Sequence, residues 1–173
     1  MLMFIKGKFI FLLKILRLPS WYNFIPKNLL VVNFIFQRIF RLNGDVPFSI
    51  NFKNQVRGIQ NIYISDYSKR YLAINTGIYI TAFNGTTLEI GDGTLIASNV
   101  AIQTGNHQLI DRHKYNLKSV VIGENCWLGF GSVILPGVKL GNNVTVGANA
   151  VVTKSFPNNV VIAGCPARIV KHS

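Results

Sequence analysis

The sequence predicts an all-β solenoid, and three observations carry that prediction. Ile122, Leu128, Ile134, Leu140, Val146 and Val152 recur at an interval of six, whereas an amphipathic helix needs three- and four-residue intervals. Two residues before each stands a small or apolar side chain: Val120, Cys126, Ser132, Val138, Val144 and Ala150. Period-two alternation therefore operates inside every unit, as on a short strand with one buried face. Gly123, Gly129, Gly141 and Gly147 follow four of the apolar residues, and Asn125, Asn142, Asn143 and Asn149 lie nearby. Gly and Asn tolerate positive φ, so each unit is expected to supply a corner as well as a strand. A repeated strand and corner with a constant inward face winds into a solenoid.

From the N terminus, residues 1–60 read as a basic, apolar arm. The 173-residue chain has a formal net charge of +12, and residues 1–42 hold seven Lys or Arg and no acid. If helical, "MLMFIKGKFIFLLKILRL" groups Lys6, Lys14 and Arg17 within an arc of roughly 80°, with Lys8 off that face. Such an amphipathic helix suits peripheral contact with an anionic membrane, or packing on the solenoid or a neighbouring subunit. A second apolar piece, "NLLVVNFIFQRIFRL", follows Pro26 and is expected to be helical as well. Neither piece has the roughly 18 uncharged apolar residues that spanning requires. Lys14 and Arg17 also interrupt any signal-peptide core. The expected location is the cytoplasm, at most peripheral to the inner face of the membrane. Nucleic acid is disfavoured, because the arm is mostly aliphatic and no reading motif accompanies it.

The solenoid is expected over residues 61–165, in five to six coils of three short strands, followed by a C-terminal tail at 166–173. Leu72 and Ile78 begin the series, and Ile90, Ile96 and Ile102 continue it. From Ile102 to Ile122 the spacing breaks, and residues 103–119 form the interrupting loop. Two cysteines, Cys126 and Cys165, without ligand spacing read as reduced and structural, and no metal is expected. These glycines recur with the fold and do not form a phosphate-binding loop.

A solenoid built only for stability would keep its register, and loops of this length are often functional. The interruption opens with "TGNHQ", placing His107 just after the last strand of its coil. Imidazole gains and loses a proton near neutral pH, so it can take the proton of a weak nucleophile as a general base. The plainer reading of His107 is a loop residue that hydrogen-bonds locally. His113 lies deeper in the loop and His172 sits beside the terminus, and both fit the role less well.

The repeated units resemble those of the hexapeptide-repeat acyltransferases. Within that superfamily "IGENCWLG", "ILPGVKLG", "VGANAVVTKS" and "IAGCPARIV" are similar to the sugar and polysaccharide O-acetyltransferases. The resemblance implies a left-handed parallel β-helix, acetyl-CoA as co-substrate, homotrimers, and active sites between adjacent subunits. It implies transfer of acetyl to a sugar hydroxyl in cell-surface polysaccharide synthesis, with His107 catalytic and Asn84 contacting the acceptor. By the same matching, Trp127, Gly129, Ala148, Thr153, Lys154 and Arg168 contact acetyl-CoA. The arm favours a lipid-linked sugar as acceptor. Two positions depart from the pattern. Gln108 stands where relatives often carry Asp, leaving Asp111 as a candidate carboxylate partner for His107, and bulky Phe130 follows Gly129. The alternatives are N-acetylation of an amino sugar and a non-catalytic β-helix scaffold.

Overall fold

The computed structural model describes residues 19–172. Their architecture is a solenoid of three parallel sheets, one on each side of a triangular coil. The first sheet stacks Gln55–Arg57, Tyr79–Thr81, Ala101–Gln103, Val133–Ile134 and Val151–Val152. The second stacks Ile62–Ile64, Leu88–Ile90, Val120–Ile122 and Lys139–Leu140, with a last bridge from Leu140 to Phe156. The third stacks Leu95–Ile96, Trp127–Leu128, Thr145–Val146 and Val160–Ala163, and ends on the antiparallel strand Arg168–His172. The expected tail is thus largely a strand, and the first strand lies upstream of residue 61.

The six-residue interval is the distance from one side of the coil to the next. The apolar series from Ile122 to Val152 points inward, each member at most 2% exposed, and the preceding series from Val120 to Ala150 is buried beside it. Each such aliphatic side chain contributes about 1.5–3 kcal/mol on burial. Three sides make an 18-residue turn: Trp127 pairs with Thr145, 18 residues on. It pairs in the other direction with Leu95, 32 residues back. The extra 14 residues leave the stack at the corner after Ala101–Gln103 and return before Val120, as the antiparallel hairpin Gly105–His107 with Tyr115–Leu117.

The corners divide the work between Asn and Gly differently from the expectation. Positive φ falls on Asn125, Gly131, Gly137, Asn143 and Asn149, again six apart, one residue before each buried position. Gly123, Gly129, Gly141 and Gly147 are not in that region; they are small because coils touch there. A Cβ on Gly123 would lie 2.6 Å from the backbone carbonyl atoms of Gly141.

Leu72 corrects the sequence reading. It sits on a helix, α1 (Asp66–Ile74), which takes the third side of the first coil in place of a strand. Ser65 caps it by accepting from the Ser68 N–H at 3.2 Å, Leu72 and Ala73 face the core, and the Ser68 hydroxyl donates to the Thr94 carbonyl at 2.8 Å.

The amphipathic segment expected over residues 1–18 lies outside the described residues. Past Pro26 the chain is helical over Lys27–Phe34 and continues through a π-turn, Ile35–Ile39. Two buried amides anchor this part of the arm, Asn33 to the first coil and Gln37 to the segment that follows it. Asn33 donates to the Ala73 carbonyl at 3.0 Å, and Gln37 donates to the Val46 and Phe48 carbonyls, each at 2.8 Å. Trp21, Ile25, Leu30, Val46 and Ile50 complete the cap. No helix among the described residues is long and apolar enough to cross a membrane.

Candidate active site

The hairpin is fixed at its base by Thr104, fully buried at the corner. Its N–H donates to the Thr81 carbonyl at 3.0 Å, and its carbonyl accepts from the Lys118 N–H at 2.9 Å. Its hydroxyl accepts from the Phe83 N–H at 2.9 Å and shares a hydrogen bond with Thr86 at 2.6 Å. One buried side chain therefore ties the His107 hairpin to the turn that carries Asn84. Gly105 is small for a related reason: a Cβ there would lie 2.7 Å from Leu117 and 2.8 Å from the Phe83 ring.

These connections make a cleft of about 630 Å³ whose walls include both Asn84 and His107. The His107 Nδ1 lies 2.6 Å from the Arg112 carbonyl oxygen. A carbonyl only accepts, so Nδ1 carries a proton and Nε2 is the nitrogen left to exchange one with a ligand. The ring packs on Tyr115 with centroids 4.5 Å apart, and Tyr115 packs on Phe83 at 5.0 Å. The imidazole is thus held by one hydrogen bond and one aromatic face.

Asp111 is not the group that holds it. Its carboxylate accepts from the His113 N–H at 3.0 Å and pairs with Lys114 at 3.5 Å. Asn84 presents its Oδ1 to Gln60 at 3.2 Å and to Asn61 at 3.1 Å, which leaves its own N–H groups for a ligand. Gln103 donates to the Asn106 oxygen at 2.9 Å on the opposite wall. The cleft is therefore rich in amides and aromatic faces. Among the described residues, a larger groove of about 760 Å³ runs over Tyr63 and Glu89 beneath Phe48, and it touches none of the sequence-derived site residues.

The six residues matched to acetyl-CoA line neither the His107 cleft nor that groove. Trp127 points outward as strand alternation requires and is 53% exposed, stacked in register between Leu95 and Thr145. Gly129 and Ala148 meet at the corner leaving the third sheet, where a Cβ on Gly129 would lie 2.5 Å from the Val146 carbonyl oxygen and 2.9 Å from the Ala148 nitrogen. Phe130 is exposed beside them. Thr153 and Lys154 occupy the corner after the first sheet, and Lys154 lies over the Phe156 ring at 5.7 Å. Arg168 begins the terminal strand and is exposed. Phe83, Thr104, Arg112 and Tyr115 were not singled out by the sequence reading. Their signal was limited to Tyr115, an aromatic residue inside the interrupting loop.

Residues 119–154 match the bacterial transferase hexapeptide family model, described as six repeats. The chain is 37% identical over 152 residues to WbbJ of Escherichia coli, which carries the provisional name of a lipopolysaccharide biosynthesis O-acetyltransferase; the match covers 76% of this chain and 74% of that protein. It is 37% identical over 120 residues to the galactoside O-acetyltransferase of Lactococcus lactis, covering 64% of this chain and 58%, less than two thirds, of the relative. Among solved structures, a hexapeptide-repeat-containing acetyltransferase of Vibrio cholerae complexed with acetyl-CoA superposes with a TM-score of 0.58. That structure is 27% identical, and the match covers 69% of this chain and 68% of it.

Proposed function

The chain belongs to the bacterial hexapeptide-repeat transferases, and from that premise we propose that it moves acetyl from acetyl-CoA to a hydroxyl of a sugar used in cell-surface polysaccharide. The observation that carries this reading is the His107 geometry. With Nδ1–H donated to the Arg112 carbonyl, Nε2 is the atom left for proton transfer, and none of the described residues lining the cleft is a carboxylate. An alcohol is a poor nucleophile until its proton is taken. Nε2 takes that proton as the oxygen attacks the thioester carbon, and the tetrahedral intermediate then expels the thiolate as its C–S bond breaks. The imidazolium returns the proton to sulfur, so the ring ends as it began. Asn84, with its N–H groups turned from its own partners, orients the acceptor.

Acetyl-CoA lies along Trp127, Gly129 and Ala148, with Lys154 and Arg168 pairing its phosphates by charge-assisted hydrogen bonds and Thr153 beside them. Their position away from the His107 cleft of one chain supports a homotrimer in which the cofactor surface of one subunit faces the cleft of the next. The exposed outward column of Leu95 and Trp127 suits such a contact. A membrane-peripheral placement, with a lipid-linked acceptor, is supported by exposed Phe24, Ile39, Phe40 and Leu42 beside Arg38 and Arg41.

The test is thiol release from acetyl-CoA with a panel of free, nucleotide-linked and lipid-linked sugars, wild type beside His107→Ala. Acceptor-dependent release is expected to fall by about two to four orders of magnitude in the variant. Release that is unchanged by the substitution would refute the general-base role.

A further inference from the structure

The cleft has a charge pattern that a neutral sugar does not use. Among its described lining residues none is a carboxylate, and one is a permanent cation, Arg57. Arg57 makes no ion pair with any described acid; its Nε and Nη2 donate to the Gln55 side-chain oxygen at 2.9 and 2.5 Å, which leaves the edge formed by its two terminal nitrogens for a ligand. Its place is set by the sheet: in the first sheet Arg57 pairs with Thr81, and Thr81 pairs with Gln103, so the three lie on one rung line of the outer face. Gln103 in turn holds Asn106, the neighbour of His107. Two inter-strand spacings separate Arg57 from Gln103, about 10 Å. The aromatic walls Tyr79, Phe83 and Tyr115 lie between or beside these ends.

We propose that Arg57 is a specificity residue for an oxyanion carried by the acceptor, so that the enzyme acetylates an anionic glycosyl unit in preference to a neutral one. Arg57 stands at one end of this rung line, and Gln103, which holds the neighbour of the base, stands at the other. The acetylated hydroxyl is accordingly on the far side of the sugar ring from the anionic substituent. A planar guanidinium recognises phosphate and carboxylate by the same paired hydrogen bonds. The anion is therefore either a phosphate on the anomeric carbon, as in an activated or lipid-linked sugar, or the carboxylate of an acidic sugar.

This assignment rests on the acetyl-transfer reading for the identity of the ligand, and binding tests it without turnover. Calorimetry on the full chain, saturated with CoA to occupy the cofactor's own phosphate contacts, compares hexose 1-phosphates, hexuronic acids and the corresponding methyl hexosides. The charged member of at least one pair is expected to bind about 10- to 100-fold tighter. That preference is expected to vanish in Arg57→Gln, recover in part in Arg57→Lys, and persist in Lys139→Gln, which removes a charge from the outer face of the second sheet. A preference for the phosphates alone identifies an activated sugar, and one for the uronates alone an acidic sugar. Equal affinity within every pair, or a preference that survives Arg57→Gln, overturns the proposal. Failure of the parent reading appears separately, as the absence of a CoA isotherm.

Discussion

At the scale of single residues, environment separates groups that the sequence left alike. Cys126 and Cys165 are the chain's two thiols, and one is buried while the other is exposed. Burial pushes the Cys126 thiol above its ordinary value, because the thiolate would lose its hydration. Cys165 is therefore expected to be the single thiol that a disulfide reagent titrates in the native protein, with the second appearing in denaturant. Rapid native labelling of both would contradict the packing around Cys126. Burial also raises the Tyr22 phenol, whose oxygen accepts from the Ser49 N–H at 3.0 Å. Both acids are held protonated more tightly when folded than unfolded. Their contribution to stability is therefore complete below the ordinary thiol and phenol values, and is lost as pH rises through the folded ones. A urea midpoint that falls from neutral pH toward alkaline pH is the expected signature. The placement of His107 beside the cleft was legible from its position after a strand of broken register. Its orienting group was not, because a backbone carbonyl five residues on carries no sequence signal, and the available side-chain acid, Asp111, turns elsewhere.

Among the elements, the six-residue strand units from Ile78 onward were legible and the corners only partly. The sequence pattern marks where Asn and Gly accumulate, but a glycine needed for its φ and a glycine needed for close approach look the same in one dimension. Asn125 and Gly131 serve the first need, and Gly123 the second. Gly123→Ala is expected to cost about 1–3 kcal/mol, since its Cβ meets backbone atoms that cannot rotate away. A urea titration with an unchanged midpoint would show that the coils are looser than described. Helix α1 was missed because Leu72 happens to sit six residues before Ile78. The Ser65 cap and the helical spacing of Ser68 and Leu72 outweighed that coincidence.

For the molecule as a whole, the coils present two outward features that the core does not need: the cleft at the hairpin and an apolar, basic surface on the arm. Ile39 is 65% exposed on that surface. Ile39→Glu is expected to weaken sedimentation with anionic liposomes several-fold without changing the melting temperature, as loss of one inserted aliphatic group and gain of a repelled charge require. Equal sedimentation would place the arm away from lipid. The hairpin carries a broader consequence. The strands on either side of it stay in register across a 32-residue gap as faithfully as across an 18-residue one. The solenoid thus does not measure the length of what is inserted at that corner, and the entropic cost of lengthening such an excursion grows only slowly. A scaffold with this indifference can exchange one hairpin for another, and with it one acceptor for another, while its folding problem stays solved.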